Sequence, residues 1–132
     1  MEVKEFISII NELGFEYVVD GSKFRTYRMV LYSSTTDSVS TYLDIIFTKK
    51  YGILFNPDNY ILDHNGMYDC IHIHSWFRDD YYPLDMFKTV VDVISELDKW
   101  YVSMVNVKSI YPDNRKSVMR SLRIDEVMGN QD

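Results

Sequence analysis

The sequence predicts an α+β fold, an antiparallel sheet of five to six strands in a meander, packed by a long helix over about 83–104 and by two shorter terminal helices. Two observations lead to this class. Short segments rich in β-branched and aromatic residues follow one another through the middle of the chain, with turn residues between them. Apolar residues at helical spacing flank these segments on both sides. At 132 residues, the chain has the length of a single domain, 1–132.

The N-terminal segment has the pattern of an amphipathic helix followed by a hairpin. Apolar residues recur at helical spacing over residues 2–13, and Gly14 is placed to end this helix. Strand-forming residues 15–20 then lead through Gly21-Ser22 into a second strand over 24–33. The chain therefore begins with one helix and one hairpin.

The middle of the chain continues the predicted meander. The polar run 33–38 predicts an exposed, mobile loop. Asn65-Gly66 is the strongest short-range hairpin signal in the sequence and predicts a hairpin between strands 60–63 and 68–74. The predicted strands of this region span residues 41–48, 51–55, 60–63 and 68–74.

The long helix is predicted from a proline and an apolar stripe. Pro83 is suited to the first turn of a helix, and the stripe continues from there through about residue 104. Because this helix should cover one face of the sheet, we expect Val91 and Ile94 to be nearly fully buried.

The last segment of the chain is predicted to hold another helix. Residues 105–111 fit either a short strand or a continuation of the long helix, and Pro112 restarts a helix. Its basic residues follow one stripe, which is typical of a solvated face: Arg115, Lys116 and Arg120. The tail 129–132 is expected to be disordered.

Composition and charge exclude several classes of protein. One cysteine excludes an internal disulfide framework, and the charged start is unlike a signal peptide. No apolar run is long enough to cross a membrane, so we expect a cytoplasmic protein. Residues 1–106 hold 16 acidic against 9 basic residues, which opposes direct nucleic-acid binding and favours a partner protein with a basic surface. Ordinary solubility is the alternative explanation of this acidity.

The segment 69–74 contains the only cysteine and two of the three histidines. In an extended strand, alternation places Cys70, His72 and His74 on one face and the two intervening isoleucines on the other. Imidazoles at positions i and i+2 lie about 6.6–7 Å apart along a strand, so both can turn toward one ion. This pattern predicts a metal site on the face away from the core.

The predicted cofactor is a structural zinc ion, and the candidate ligands are Cys70, His72, His74 and His64. The most economical site joins His72 to Cys70 or His74 and takes its acidic ligand from elsewhere. The nearest acidic residues after the strand are Asp79 and Asp80. The alternative is a half-exposed polar sheet face without a metal ion.

A second candidate surface follows the histidine segment. Acidic and aromatic residues are adjacent there, and we predict that a partner contacts Asp79, Asp80, Tyr81 and Tyr82. The alternative is that the two tyrosines join Trp76 and Phe77 in a buried corner between strand and helix.

No catalytic or phosphate-binding motif is present, so we expect no catalytic residues and a non-enzymatic protein that inhibits a macromolecular partner. In its small size, acidity, lack of catalytic motifs and predicted zinc site, the chain resembles phage-encoded anti-CRISPR proteins that block a Cas nuclease. The resemblance implies a partner with a basic nucleic-acid channel, such as Cas9, and occlusion of guide or target loading in the host cytoplasm. It assigns no residue roles. The alternatives are a bacterial toxin-immunity protein and a metal-dependent hydrolase acting at the 70–74 face.

Overall fold

A computed structural model describes residues 1–18, 25–48 and 68–129, with side chains as far as Arg123. It confirms the α+β class. The described helices are α1 (Val3–Leu13), α2 (Val90–Ser103) and α3 (Tyr111–Gly129). The described strands are β1 (Glu16–Tyr17), β2 (Arg25–Ser33), β3 (Val39–Thr48), β4 (Cys70–His74), β5 (Asp79–Pro83) and β6 (Val107–Lys108).

The described strands form one antiparallel sheet. β1 to β5 lie side by side in chain order, and β6 pairs with the end of β2. β4 pairs with β3 on one side and with β5 on the other, so residues 70–74 have no side left for the predicted hairpin with strand 60–63. Ile45 of β3 lies opposite Tyr27 of β2 and Ile73 of β4, and all three side chains are buried. This register collects the apolar side chains of the sheet on the face that the helices cover.

Helix α1 lies close to its predicted position. Its buried residues Phe6 and Ile10 are four apart and face the sheet, where the ring of Phe6 meets the ring of Phe47 edge to face at 5.6 Å. Gly14 ends the helix with φ 114°, a left-handed conformation that glycine adopts without a Cβ clash. The Nδ2 group of Asn114 donates a hydrogen bond to the Leu13 carbonyl at 3.3 Å, which ties α3 to this helix end.

Helix α2 begins later than the sequence predicted. Pro83 is the last residue of β5, and Leu84–Met86 forms a single 3₁₀ turn before the helix. A capping box sets the true start: Thr89 Oγ1 accepts from the Asp92 N–H at 3.3 Å, and the Asp92 carboxylate accepts from the Thr89 N–H at 3.0 Å. Proline is compatible with a strand end as well as with a first helical turn, so Pro83 alone did not place the boundary.

Burial along α2 confirms one expectation and overturns another. Ile94 is 2% exposed, as expected, but Val91 is 51% exposed. The buried stripe centres on Val93, Leu97 and Trp100, and at 100° per residue Val91 falls outside it. The described helix α3, with 19 residues, is longer than α2, with 14.

Loss of the α2 cap gives the first testable prediction. Thr89→Ala should lower the free energy of unfolding by about 1 kcal/mol, because the Asp92 N–H loses its side-chain acceptor at the helix start. Ser95→Ala is the matched control, since Ser95 is exposed within the same helix. Urea unfolding followed by circular dichroism measures both variants. Equal stability of the two would contradict a working cap.

The remaining predicted segments have mixed outcomes. Residues 105–111 resolve into the short strand β6, and α3 begins at Tyr111. Tyr111 Oη donates to Asp98 Oδ1 of α2 at 2.6 Å, which joins the two helices.

Gly129 is the last residue of α3, so the first position of the predicted tail is helical. The turns at Gly21-Ser22 and Asn65-Gly66, the predicted strands 51–55 and 60–63, and the rest of the tail lie outside the described residues.

Candidate functional site

The sheet face opposite the helices carries polar side chains aligned in rows across the strands; we call it the polar face. One row holds Arg28, Asp44, His74 and Asp79, on β2 to β5 respectively. The next row holds Thr26, Ile46, His72 and Tyr81. Arg28 donates two hydrogen bonds to Asp44, from Nε at 2.8 Å and from Nη2 at 3.0 Å. The pairing of adjacent strands thus places charged and imidazole groups side by side.

Two histidines and one aspartate meet at the β4–β5 end of these rows. His74 lies directly opposite Asp79, and His72 lies two residues from His74 on the same face. His72 Nε2 is 2.8 Å from Asp79 Oδ1, and His74 Nδ1 contacts the same carboxylate oxygen. Across the described part of the chain, these three residues form a group whose potential ligand atoms all lie within 4.8 Å of one another. We call it the His–Asp cluster.

The cluster is partly exposed and electrostatically coupled. The His72 side chain is 19% exposed, whereas those of His74 and Asp79 are 48% and 55% exposed. Hydrogen bonds from His74 and His72 hold the pKa of the Asp79 carboxyl below its ordinary value. The ring of Tyr81 stacks on the ring of His72, with centroids 4.3 Å apart and planes 14° from parallel. Tyr81 therefore restricts the orientation of the His72 imidazole.

The structure brings together only part of the ligand set predicted from the sequence. Cys70 lies outside the cluster: it is 2% exposed, and its thiol donates to the Ile71 carbonyl at 3.7 Å. Positions 70 and 74 are about 13 Å apart along a straight strand, too far for one ion to bridge. Of the two acidic candidates, Asp79 joins the histidines, whereas Asp80 lies opposite buried Ile73 on the other face. His64 lies outside the described residues.

The predicted partner-contact residues are divided by burial. They lie in strand β5 rather than in a loop, so alternate residues point to opposite faces. Tyr81 is 51% exposed, whereas Tyr82 is buried and its Oη accepts from Trp100 Nε1 at 3.1 Å. Burial and the nearby Glu96 carboxylate raise the pKa of Tyr82 to about 12, so its hydroxyl stays neutral within the core.

The turn between β4 and β5 exposes two further aromatic side chains. Trp76 and Phe77 are 52% and 40% exposed, and their ring centroids lie 4.9 Å apart. The predicted buried corner is therefore wrong for Trp76, Phe77 and Tyr81 and right for Tyr82. Tyr81 and Tyr82 point to opposite faces of β5, so only Tyr82 faces the helices, and Trp76 and Phe77 lie in the turn between the two strands.

A cleft of about 820 Å³ opens between the start of α1 and the β4–β5 hairpin. Its walls include Lys4, Cys70, Tyr82 and Leu84. The three cluster residues are not among those lining it, so the cluster is a feature of the sheet surface. Small-molecule sites are more commonly concave and enclosing.

Comparison of the chain with known protein families, with curated proteins and with solved structures found no match. Within the described ranges, no helix has both the length and the apolar character needed to cross a membrane. The functional inferences below therefore depend on the residues of this chain.

Proposed function

We propose that the protein is a small non-enzymatic binding protein that inhibits a macromolecular partner and contacts it through the β4–β5 hairpin. The observation that carries this proposal is the exposure of three aromatic side chains on one hairpin, Trp76, Phe77 and Tyr81, which we call the hairpin surface. Exposed aromatic groups of this kind mark interaction sites, and tryptophan and tyrosine are enriched among residues that dominate binding energy.

The turn end of the hairpin surface packs against the buried side chain of Trp100 on α2. The ring of Phe77 lies 5.9 Å from that of Trp100, which is fully buried, and the Arg78 guanidinium lies 4.6 Å above the same Trp100 ring. The Ser75 N–H donates to the Arg78 carbonyl at 3.0 Å and closes the turn. A surface held in this way loses little conformational entropy when a partner binds.

The charge of the chain supports a partner with a basic surface. The net charge is −6, and Asp79 and Asp80 precede Tyr81 directly on β5. Acidic side chains steer association with a basic partner, and buried aromatic contacts then slow dissociation. The resemblance to anti-CRISPR proteins supports a Cas9-type nuclease as this partner, bound at its nucleic-acid channel in the host cytoplasm.

Inhibition of DNA cleavage by a purified Cas9 tests the proposed partner. Saturating protein, added before the guide RNA or the target DNA, should abolish cleavage. Full cleavage activity together with no complex on size-exclusion chromatography would contradict the nuclease as partner. Neutralisation of a co-encoded toxin instead would assign the chain to immunity proteins.

The contact surface is tested by binding kinetics. Trp76→Ala should weaken binding by about 30-fold, mainly through faster dissociation, since truncating a central aromatic contact costs about 2 kcal/mol or more. Tyr81→Ala should act in the same direction. The double variant Asp79→Asn, Asp80→Asn should instead slow association and reduce its dependence on salt.

A matched control separates contact from folding. Val102 is 83% exposed on α2, away from the hairpin, and Val102→Ala should bind like the parent protein. All variants should keep the parent's unfolding transition. Unchanged dissociation of folded Trp76→Ala and Tyr81→Ala would place the interface elsewhere, and loss of folding in Tyr81→Ala would make that residue structural.

A further inference from the structure

We propose that His72, His74 and Asp79 bind one divalent transition-metal ion on the polar face. The inference does not depend on the partner-binding proposal, because the ligands belong to one chain and lie on adjacent strands. It also changes the ligand set expected from the sequence, since an aspartate takes the place of the cysteine. The grounds are the rigidity of the framework, the spacing of the donor atoms and their chemistry.

Two adjacent strands of the sheet, β4 and β5, hold the three ligands. β4 pairs with β3 on one side and with β5 on the other, so the backbone of both histidines is held from two directions. The residue between them, Ile73, is 1% exposed and anchors the strand in the core. Asp79 lies directly across from His74 in the same ladder. The ligand positions are thus set by strand register rather than by a loop.

The donor spacing is close to what one ion requires. Bonds of about 2.0–2.2 Å at tetrahedral angles place neighbouring ligand atoms roughly 3.3 Å apart. His72 Nε2 and Asp79 Oδ1 are 2.8 Å apart, and the full set of three donor atoms lies within 4.8 Å. Side-chain rotations alone can therefore open the cluster enough to admit an ion, with no displacement of the strands.

The chemistry of the donors also favours an ion. Nitrogen atoms of both imidazoles point at one carboxylate oxygen of Asp79. A divalent cation at this point takes up a lone pair from each nitrogen and the negative charge of the carboxylate. The Tyr81 ring, stacked on His72, keeps that imidazole in the orientation that binding needs.

The donor set selects a class of metal. Two imidazoles and one carboxylate suit zinc, iron(II), cobalt(II), nickel(II) or copper(II), whereas calcium and magnesium prefer oxygen ligands alone. Three protein ligands leave at least one coordination position for water or for an outside group. The exposure of His74 and Asp79 makes that position accessible from solvent.

Titration of chelator-treated protein with zinc and with cobalt(II) tests the site, using calorimetry for zinc and visible absorption for cobalt. One ion per chain is expected. His72→Ala, His74→Ala and Asp79→Asn should each weaken binding by more than about 100-fold, because even the loss of a residue that only supports a ligand costs about 10–100-fold. Cys70→Ser, His64→Gln and Asp80→Asn should bind like the parent protein. The cobalt spectrum should lack a thiolate charge-transfer band.

Each alternative has its own signature in the same experiment. No binding by the parent protein would overturn the proposal, as would Asp79→Asn with full affinity in its folded form. A thiolate band, or loss of binding in Cys70→Ser, would restore the cysteine-containing site and exclude this ligand set. Zinc should also raise the unfolding temperature of the parent but not that of Asp79→Asn, which separates binding to the folded site from binding to the unfolded chain.

Discussion

Replacing Trp100 with alanine is expected to lower the free energy of unfolding by about 3–5 kcal/mol. Trp100 is fully buried on α2, and its Nε1 group donates to Tyr82 Oη at 3.1 Å. Its ring also lies beneath the Arg78 guanidinium and beside Phe77. Truncation leaves a cavity between α2 and the β4–β5 hairpin and removes a hydrogen-bond donor from a buried hydroxyl, so two costs add.

The two tryptophans of the chain provide a matched comparison. Trp76 is 52% exposed, and Trp76→Ala should change stability by no more than about 0.5 kcal/mol. Trp100→Phe should lie between the parent and Trp100→Ala, because it keeps an aromatic ring but loses the N–H donor. Urea unfolding followed by far-ultraviolet circular dichroism is suited to all three variants, since tryptophan fluorescence changes with the substitution itself. A loss below about 1 kcal/mol in Trp100→Ala would contradict the packing described here.

The second large effect is expected at Ile94, also on α2. Ile94→Ala should cost about 2–5 kcal/mol, because a buried isoleucine that is truncated loses its apolar burial and leaves a cavity. Val91→Ala should change stability by no more than about 0.5 kcal/mol, because Val91 is 51% exposed. The two residues lie three positions apart on the same helix and differ in burial. The difference between their losses of stability therefore reports which side of α2 meets the sheet.

Denaturant midpoints and slopes of both variants measure this difference. The slope of the transition should be unchanged, so that the midpoint alone reports stability. Equal losses at the two positions would mean that α2 is rotated about its axis relative to the structure. A larger loss at Val91 than at Ile94 would place the buried stripe on the Val91 side of the helix.

The sequence alone was sufficient to predict those features of the fold that depend on local interactions. Helix α1 is predicted by its apolar spacing and ended by Gly14, because helix propensity and a left-handed cap depend only on neighbouring residues. The alternation within 70–74 likewise places the isoleucines inward and the histidines outward, since a strand has a period of two.

The start of α2 shows where local reasoning fails. Pro83 is compatible with both a helix start and a strand end, and the choice was made by the pairing of Pro83 with Cys70 across β4 and β5. Once β5 takes residues 79–83, the helix begins only at the Thr89 capping box. Which side chains of α2 are buried is decided by the packing of the helix against the sheet, which leaves Val91 exposed.

The His–Asp cluster and the hairpin surface likewise depend on the register of β4 against β5. His74 and Asp79 are five residues apart in the sequence, and only the length of the turn between them places them opposite each other. That register aligns Asp79 with the histidines, turns Asp80 to the other face and separates exposed Tyr81 from buried Tyr82. The sequence by itself determined which residues could act as ligands or contacts and the strand that carries the histidines. The tertiary structure decided which of them meet, because one position of strand slip moves every side chain to the opposite face.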